Sequence, residues 1–510
     1  MLIKNVLKDK LKDALAPISS LNFVWSIEIP KQKGHGDYAT NVCFQLAREL
    51  KKSPKLIAET LCTDLNKQFE EEFTFEPING FININLTENF VWTLSKNVLE
   101  KSFPKSTSNT LIEFVSANPT GPLHIGHGRW AVVGSTMVNI YKYVGKNVSS
   151  EFYINDAGVQ INNLLASVKA AKDGTPIPEN GYHGDYIHDL AKTNENPIEY
   201  HINQHKSVLN AINTSFDTWY PESNLHKAND VPKALDYLKS NNFTFELEKA
   251  LWFNTTKFGD DKDRVLVKND GNYTYFAVDI AYHKNKLDRK FTHLINILGA
   301  DHHGYVHRMK AAISALNENA TIDLKIGQLV NLFRDGTPVR MSKRTGDIIT
   351  LQEVTDEIGS DAVRYFLSEK SLDSSIDFDL EAAKLKNSEN PVYYIQYAHA
   401  RICSIFRKHG VDNYKEQPSF DSLDPTEKAV LLYCLQFNDM IWELAQNLET
   451  HRLNTYLLTL ARQFHTFYEK CPILKSEESL KLKRLYILMV VQNVFKTSLN
   501  LLGISAPEVM

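Results

Sequence analysis

Residues 113–129 read EFVSANPTGPLHIGHGR, and the reading of the fold starts from them. The apolar run LIEFV at 111–115 leads into the turn and reads as a buried strand. The prolines of Asn-Pro-Thr-Gly-Pro keep the chain out of helix until both are passed. A helix is therefore expected to begin near Ile125–Gly126 and to continue through RWAVVGSTMVNIYKYVG, ending at Gly145. SSEFYIN at 149–155 reads as the next strand. Strand, helix and strand at this spacing form a βαβ unit, hence a parallel sheet with ligand sites at the C-terminal ends of its strands. THLINILG at 292–299 and the apolar run ending at Phe333 extend the same theme.

The helix start carries the chemistry. Its first backbone N–H groups are expected to be free and to favour an anion. Gly126, with no side chain, lets a flat ring approach the backbone. His124 and His127 are three apart, so both reach one side of the turn. Two imidazoles over a helix N-terminus suit a phosphate whose charge grows in a transition state. A histidine pair alone reads as a tight turn with surface histidines; the strand before it and the helix after it favour the functional reading.

Outward from this unit, three regions differ in texture. Residues 1–105 alternate helical patterns (2–15, 39–51, 54–69) with short strand-like runs such as FVWSIEIP and GFININL, a small α+β domain. FPKSTSNT at 103–110 reads as a linker. Residues 106–385 form the α/β, Rossmann-like parallel-sheet domain, with an Asn- and charge-rich stretch at about 172–262 read as an insertion. Residues 386–510 repeat apolar positions at helical spacing throughout, an α-helical bundle.

The totals limit the function classes. The chain has 510 residues, of which 57 are basic and 61 acidic, for a formal net charge of −4. Nucleic-acid contact must then come from local patches rather than bulk charge. Cys43, Cys62, Cys403, Cys434 and Cys471 are scattered with no C-x-x-C pair, against a zinc site and against a disulfide framework. The amphipathic start is broken by charges every few residues and is no signal peptide, and no run of roughly 18 apolar residues is seen. These features predict a soluble, cytoplasmic protein without a membrane partner.

HIGH at 124–127 resembles the adenylate-forming signature of class I aminoacyl-tRNA synthetases, and FVSANPTGPLHIGHGR is similar to that of the arginyl-tRNA synthetases in particular. RMSKRTG at 340–346 resembles the family's second, Lys-Met-Ser-Lys-Ser-type signature. Arg340 replaces its first lysine and Arg344 stands where many members have serine; both keep or add positive charge. The resemblance extends through GDYATN (36–41), YINDAG (153–158), YTYFAVDIAYH (273–283), LGADHHGYV (298–306), NPVYYIQYAHARI (390–402) and the closing ISAPEVM. Nothing in the 172–262 stretch carries it.

The resemblance implies arginine, ATP and tRNA(Arg) as partners, with Mg²⁺ travelling on ATP and no metal caged by the protein. It implies that arginyl-adenylate forms with loss of pyrophosphate, that the arginyl group passes to the 2′-hydroxyl of the terminal adenosine, and that activation waits for bound tRNA. A monomer is expected. His124, Gly126, His127, Arg340 and Lys343 are the expected catalytic set. Taken alone, RDGTPVRMSKRTGD reads as a solvated hairpin; paired with the histidine turn, Lys343 reaches the β- and γ-phosphates and Gly346 lets the loop move. Asp301, His302, Met341 and Ser342 complete the expected ATP site. Adjacent histidines point apart, which argues against a metal at His302–His303.

For arginine, Tyr275 and Asp279 are four apart and share a helix face, where a carboxylate suits a planar guanidinium; an amphipathic segment with Asp279 as a cap predicts the same spacing. By resemblance Glu113, Ser116, Asn118, His124 and His302 join them. For tRNA, the resemblance implicates Asn79, Phe81 and Asn83 at the N-terminal end, and Tyr393, Tyr397, Arg401 and Met510 at the helical end. Packing alone also explains those aromatics. A class I synthetase of another specificity and a non-catalytic RNA-binding relative are the competing readings. The helical region from about 390 is expected to be separable from a catalytic domain that folds without it.

Overall fold

The strand expected at 111–115 is present but displaced: β1 runs Asn109–Glu113, so the end of the segment read as a linker belongs to the sheet. β2 (Asn147–Ile154), β3 (Thr218–Pro221), β4 (His293–Gly299) and β5 (Thr321–Gly327) complete it. All neighbours pair in parallel, in the order β5-β4-β1-β2-β3. Chain order reverses between β1 and β4, and in such a sheet the ligand crevice opens beyond the C-terminal ends of these two strands. The protein is described by a computed structural model covering residues 2–510 except 21–22, 31, 33, 99, 340–348, 411–416 and 420–421, with residues 301–303 described by backbone alone.

Helix Ile125–Tyr143 starts where the prolines predict. It is buried almost all round, which requires small residues where neighbours approach. A Cβ at Gly134 would lie 2.2 Å from the Phe114 ring, and one at Gly128 would lie 2.7 Å from Leu351. The connection from β1 into the turn passes through Val115 at φ 69° and Ser116 at φ 43°. A β-branched residue in the left-handed region is strained by about 1–3 kcal/mol. The bend turns the Ser116 hydroxyl back to donate to Glu113 Oε1 (3.0 Å) and to accept the Tyr153 N–H (3.1 Å).

The stretch read as an insertion is partly sheet. Helix Pro197–Ala211 delivers the chain to β3, which pairs along β2. Thr-Trp-Tyr-Pro is too short for alternation to reveal a strand, and its Asn- and charge-rich surroundings hid it. Beyond it, Thr244–Leu247, Ala250–Phe253 and Arg264–Val267 form a small antiparallel sheet. That sheet shares a second core with helices Asp230–Ser240, Tyr275–Asp288 and Val306–Leu316.

The N-terminal region is a four-stranded antiparallel sheet (Ile27–Glu28, Tyr38–Thr40, Phe73–Ile78, Phe81–Leu86) with helices Ile3–Leu15, Val42–Leu50 and Pro54–Gln68. The C-terminal region is the expected helical bundle: Pro391–His409, Pro425–Leu435, Phe437–Asn447, Arg452–Lys470 and Glu478–Leu502. By length and composition Glu478–Leu502 meets the criterion for a membrane span, but 67% of its most apolar window is buried among the other helices. It is a core helix. One continuous apolar core runs from Ile3 through the histidine helix to Ile504, and all five cysteines are buried and unpaired.

Candidate active site

A cleft of about 1050 Å³ opens at the switch point between β1 and β4. Glu113, Ser116, Asn118, His127, Asp279 and Tyr305 all line it, with Leu298 and Gly299 from the end of β4. Its volume matches a substrate site able to hold more than one small molecule.

On the signature side, His124 caps its own helix. The Gly126 N–H donates to His124 Nδ1 (3.2 Å), and the His124 N–H donates to His127 Nδ1 (3.2 Å). The two rings stack with centroids 3.7 Å apart. The expectation of free backbone amides here is therefore not met: the Gly126 amide is taken by an imidazole, because the ring folds over the helix end. A Cβ at Gly126 would lie 3.0 Å from His124 Cε1, so the missing side chain serves the close approach of His124's own ring. With both Nδ1 atoms accepting, Nε2 is the protonated nitrogen of each neutral ring, which makes Nε2–H the donor for an anion.

Arg340, Met341, Ser342, Lys343, Arg344 and Gly346 lie outside the described residues, as do the side chains of Asp301 and His302. What flanks the loop is informative. The hairpin Val330–Arg334 to Thr337–Pro338 turns at Asp335–Gly336, both at positive φ, as the Asp-Gly pair requires. At the loop's other end Thr350 bridges to His124, and the Leu351 N–H donates to the Leu123 carbonyl (2.8 Å). The exit of the second signature is thus fastened to the first.

The arginine-side residues divide. Asp279 lines the cleft, with the Tyr305 hydroxyl bonded to its carboxylate. Burial pushes its pKa up to about 7; Glu113 and Glu222 add to the rise, while the Tyr305 bond and Lys286 oppose it. Tyr275 does not join it. That residue is 90% exposed and outside the cleft's lining, at the first position of helix Tyr275–Asp288. A shared helix face did not guarantee a shared pocket. The aromatic residue beside Asp279 in the cleft lining is Tyr305.

Glu113 is buried and already partnered. Its Oε2 pairs with Nζ of the fully buried Lys286, and Oε1 accepts from Ser116. Lys286 also donates to Asn296 Oδ1 (3.4 Å), and its ammonium lies 4.3 Å from the Tyr282 ring centroid. Asn296 Nδ2 donates to His283 Nε2 (3.0 Å), and His283 Nδ1–H donates to the Asp279 carbonyl (2.8 Å). Burial, then Lys286, holds the His283 pKa well below the usual imidazole range, so the ring is neutral. A hydrogen-bonded chain thus runs from the Glu113 carboxylate through Lys286, Asn296 and His283 to the backbone carbonyl of Asp279. Lys286 lies seven residues after Asp279 on the same helix, a spacing that puts both on one face and was legible in the sequence. Tyr305 and Asn296 come from other elements and carried no such signal.

Among the remaining residues, Asn118 Nδ2 donates to Gln160 Oε1 at the cleft's mouth. In the N-terminal sheet, Asn79 (φ 53°) and Gly80 form the hairpin turn, and Phe81 is 42% exposed with its ring edge-on to Phe44. Asn83 is a correction: it is 2% exposed, because it sits in a strand paired on both sides. At the helical end Tyr393 and Tyr397 stack in parallel with centroids 6.3 Å apart, and the Arg401 guanidinium lies 4.1 Å from the Tyr468 ring centroid. Tyr393 and Met510 line one cavity of about 710 Å³. Among the described residues, no cluster of three or more His, Cys, Asp or Glu is placed to hold a metal ion.

Three family models cover nearly the whole chain. The arginyl tRNA synthetase N terminal domain matches residues 2–86, the class I (R) tRNA synthetase catalytic domain matches 92–180 and 183–403, and the DALR anticodon binding domain matches 395–510. The chain is 42% identical to arginine–tRNA ligase 1 of Halalkalibacterium halodurans, over 95% of its own length and 94% of the relative's. It is 40% identical to the arginine–tRNA ligase of Bacillus licheniformis, over 100% and 99%. The fold superposes on Thermus thermophilus arginyl-tRNA synthetase with a TM-score of 0.83 at 23% identity, each chain covered in full. Mycobacterium tuberculosis methionyl-tRNA synthetase shares the fold more distantly, with a TM-score of 0.56 at 13% identity over 78% of this chain and 91% of that one. On the full-length identity to arginine–tRNA ligases and the three matched domains, the chain belongs to the class I arginyl-tRNA synthetases.

Proposed function

We propose that the cleft at the β1–β4 switch point is where arginine and ATP react, with roles divided along its length. The observation that carries the proposal is that one cavity joins His127 at the signature turn to the acid Asp279. Asp279, backed by Glu113, receives the guanidinium, a planar cation with five donors. Ser116, Asn118 and His124 hold the amino-acid head group, and His302 joins them from the loop after β4. ATP lies along His124, Gly126, His127, Asp301 and His302, with Arg340, Met341, Ser342 and Lys343 over its phosphates. Mg²⁺ arrives with ATP as part of that substrate.

An arginine carboxylate oxygen attacks the α-phosphorus in line, forming the acyl–phosphate bond. The bond from the α-phosphorus to the bridging oxygen breaks, and pyrophosphate leaves with its electron pair. No side chain acts as nucleophile; the site aligns the reactants and neutralises charge with the histidine Nε2–H donors and Lys343. The 2′-hydroxyl of the terminal adenosine then attacks the carbonyl carbon. AMP departs with the electron pair, and the hydroxyl proton passes to it. At the two ends of the molecule, Asn79 and Phe81 meet the body of the tRNA, while Tyr393, Tyr397, Arg401 and Met510 meet the anticodon arm.

ATP–pyrophosphate exchange with arginine, measured with and without tRNA(Arg), tests this reading. Exchange that requires both arginine and tRNA is the expected result. Exchange driven by another amino acid would refute the pocket assignment, and no exchange under any condition would point to a binding relative.

A further inference from the structure

Of the acids that line the cleft, Glu179 is exposed and Glu113 and Asp279 are not. These two differ in what they already hold. Glu113, 7% exposed, is engaged at both oxygens: Oε2 by the ammonium of the fully buried Lys286, and Oε1 by the Ser116 hydroxyl. Asp279 holds the Tyr305 hydroxyl, a neutral donor. Glu151 is matched by a cation as Glu113 is, accepting two bonds from the Arg289 guanidinium (2.6 and 3.0 Å) and one from the Tyr282 hydroxyl (2.6 Å). Glu222, outside the cleft's lining, accepts from the Tyr153 hydroxyl (2.8 Å) and faces His226 (3.6 Å). The Glu113–Lys286 pair is therefore neutral as a unit, and the wall offers an incoming cation one negative charge, at Asp279.

We propose that Lys286 is a specificity-determining positioning residue of the arginine pocket: its ammonium cancels the charge of Glu113 and fixes that carboxylate, so the pocket shows one uncompensated acid and selects a ligand with one positive charge. This rests on the placement of the guanidinium at Asp279 given above. Packing alone does not call for such a pair, since apolar residues in place of a buried ion pair are often as stable. What the pair adds is an acceptor without a net charge: each carboxylate oxygen keeps a further lone pair for a guanidinium N–H. Lys286 also sets the sense of the chain behind the wall. An ammonium can only donate, so Asn296 turns its carbonyl oxygen to Lys286 and its amide nitrogen to His283 Nε2, which leaves Nδ1–H for the Asp279 carbonyl. The residue that neutralises one acid thus also holds the backbone of the other.

Citrulline, an uncharged analogue of arginine with nearly the same outline, reads the charge preference. The measured quantity is the ratio of its inhibition constant to the Michaelis constant for arginine in charging of tRNA(Arg), at pH 8, above the Asp279 pKa of about 7. A loosened pocket weakens both ligands, whereas a change in its charge moves the ratio. Glu113→Gln leaves the Lys286 ammonium uncancelled and should lower the ratio by roughly 10- to 100-fold, the effect of one charge a few ångströms away at an effective dielectric of about 20. Adding Lys286→Gln, which keeps a donor for Asn296 and removes the charge, should return the ratio to within about 3-fold of the unaltered chain, because the pair is lost as a neutral unit. Should Glu113→Gln alone fail to fold, the double variant against the unaltered chain decides, since it leaves neither charge unpaired. A ratio still lowered in the double variant overturns the proposal, by showing that the Glu113 charge itself reads the guanidinium. A ratio unmoved by Glu113→Gln overturns it too, because the uncancelled ammonium is then not felt. Asp279→Asn tests the pocket reading separately and should collapse the ratio. If it does not, the placement at Asp279 falls and this inference with it; if Asp279→Asn and the double variant both collapse the ratio, this inference falls alone.

Discussion

Asp279 is an acid held in a poor setting until a cation arrives. With its pKa pushed up to about 7, it is substantially protonated below neutrality in the empty cleft. A bound guanidinium favours the carboxylate, so arginine binding must release a proton in that range. Arginine affinity is expected to rise with pH up to about 7 and to level off above it; isothermal titration in buffers of different ionisation enthalpy measures both affinity and proton release. Asp279→Asn keeps the shape and removes the charge. The Michaelis constant for arginine should rise at least ~10-fold, since a buried cation loses its partner, while that for ATP changes little. The reverse pattern would make Glu113 the leading guanidinium partner, although it is already paired with Lys286. Lys343 makes a separate prediction. If it stabilises departing pyrophosphate, Lys343→Ala lowers turnover by ~10²–10³ with little effect on arginine binding, as steady-state kinetics will show.

Elements in this molecule are positioned by close approach as much as by propensity. Gly134 lies mid-helix, where alanine would ordinarily stabilise by about 1 kcal/mol. Here the added Cβ would meet the buried Phe114 ring at 2.2 Å. Overpacking should win, because Phe114 follows β1 directly and cannot retreat without moving the signature turn. Gly134→Ala is expected to lower the melting temperature and, by displacing that turn, to raise the Michaelis constant for ATP. A stabilised variant would show that the sheet yields more easily than its packing indicates. The sequence made the helix and its start legible through prolines and apolar spacing. It could not show which neighbour fills the space over each glycine, since Phe114 and Gly134 approach only once the βαβ unit closes.

At the scale of the whole molecule, the three regions share one core. This weighs against the expectation that the chain up to about 390 folds without the helical region: helix Glu478–Leu502 packs on helix Ile125–Tyr143 within that core. The fully buried Arg364 guanidinium also bonds the carbonyls of Leu502 and Ile212 and the hydroxyls of Ser135 and Thr214. Residues 1–389 alone are expected to be insoluble or molten, with a broad, non-cooperative melt by circular dichroism; a sharp melt would show the domains to be separable. The N-terminal region is fastened to the bundle at Asp439, which accepts from the Tyr38 hydroxyl (3.0 Å) and the Lys4 N–H (3.3 Å). Burial pushes the Asp439 pKa up to about 6. Relative to the unfolded chain, its raised pKa stabilises the fold fully below about pH 4, and that contribution is lost as pH climbs through about 6. The ionisation costs at most about 3 kcal/mol at higher pH. Asp439→Asn keeps an acceptor and removes the charge, so its melting temperature relative to the parent should rise between pH 5 and pH 7.

The sequence by itself determined what depends on neighbours a few residues away. The proline turn, the helix that starts at Ile125 and the Asp-Gly hairpin all follow from local sterics and hydrogen bonding, and the family signatures are contiguous strings. Tertiary structure alone decided which residues meet. It exposed Tyr275 while seating Asp279 four residues later, buried Asn83, and drew Thr-Trp-Tyr-Pro into the sheet as β3. It also paired Glu113 with Lys286 across 173 residues and set Tyr186 and His205 behind the signature turn. The reason is physical: periodicity states which face of an element is apolar, but a pocket is made where faces from distant elements converge, and burial, pKa and partner are properties of that convergence.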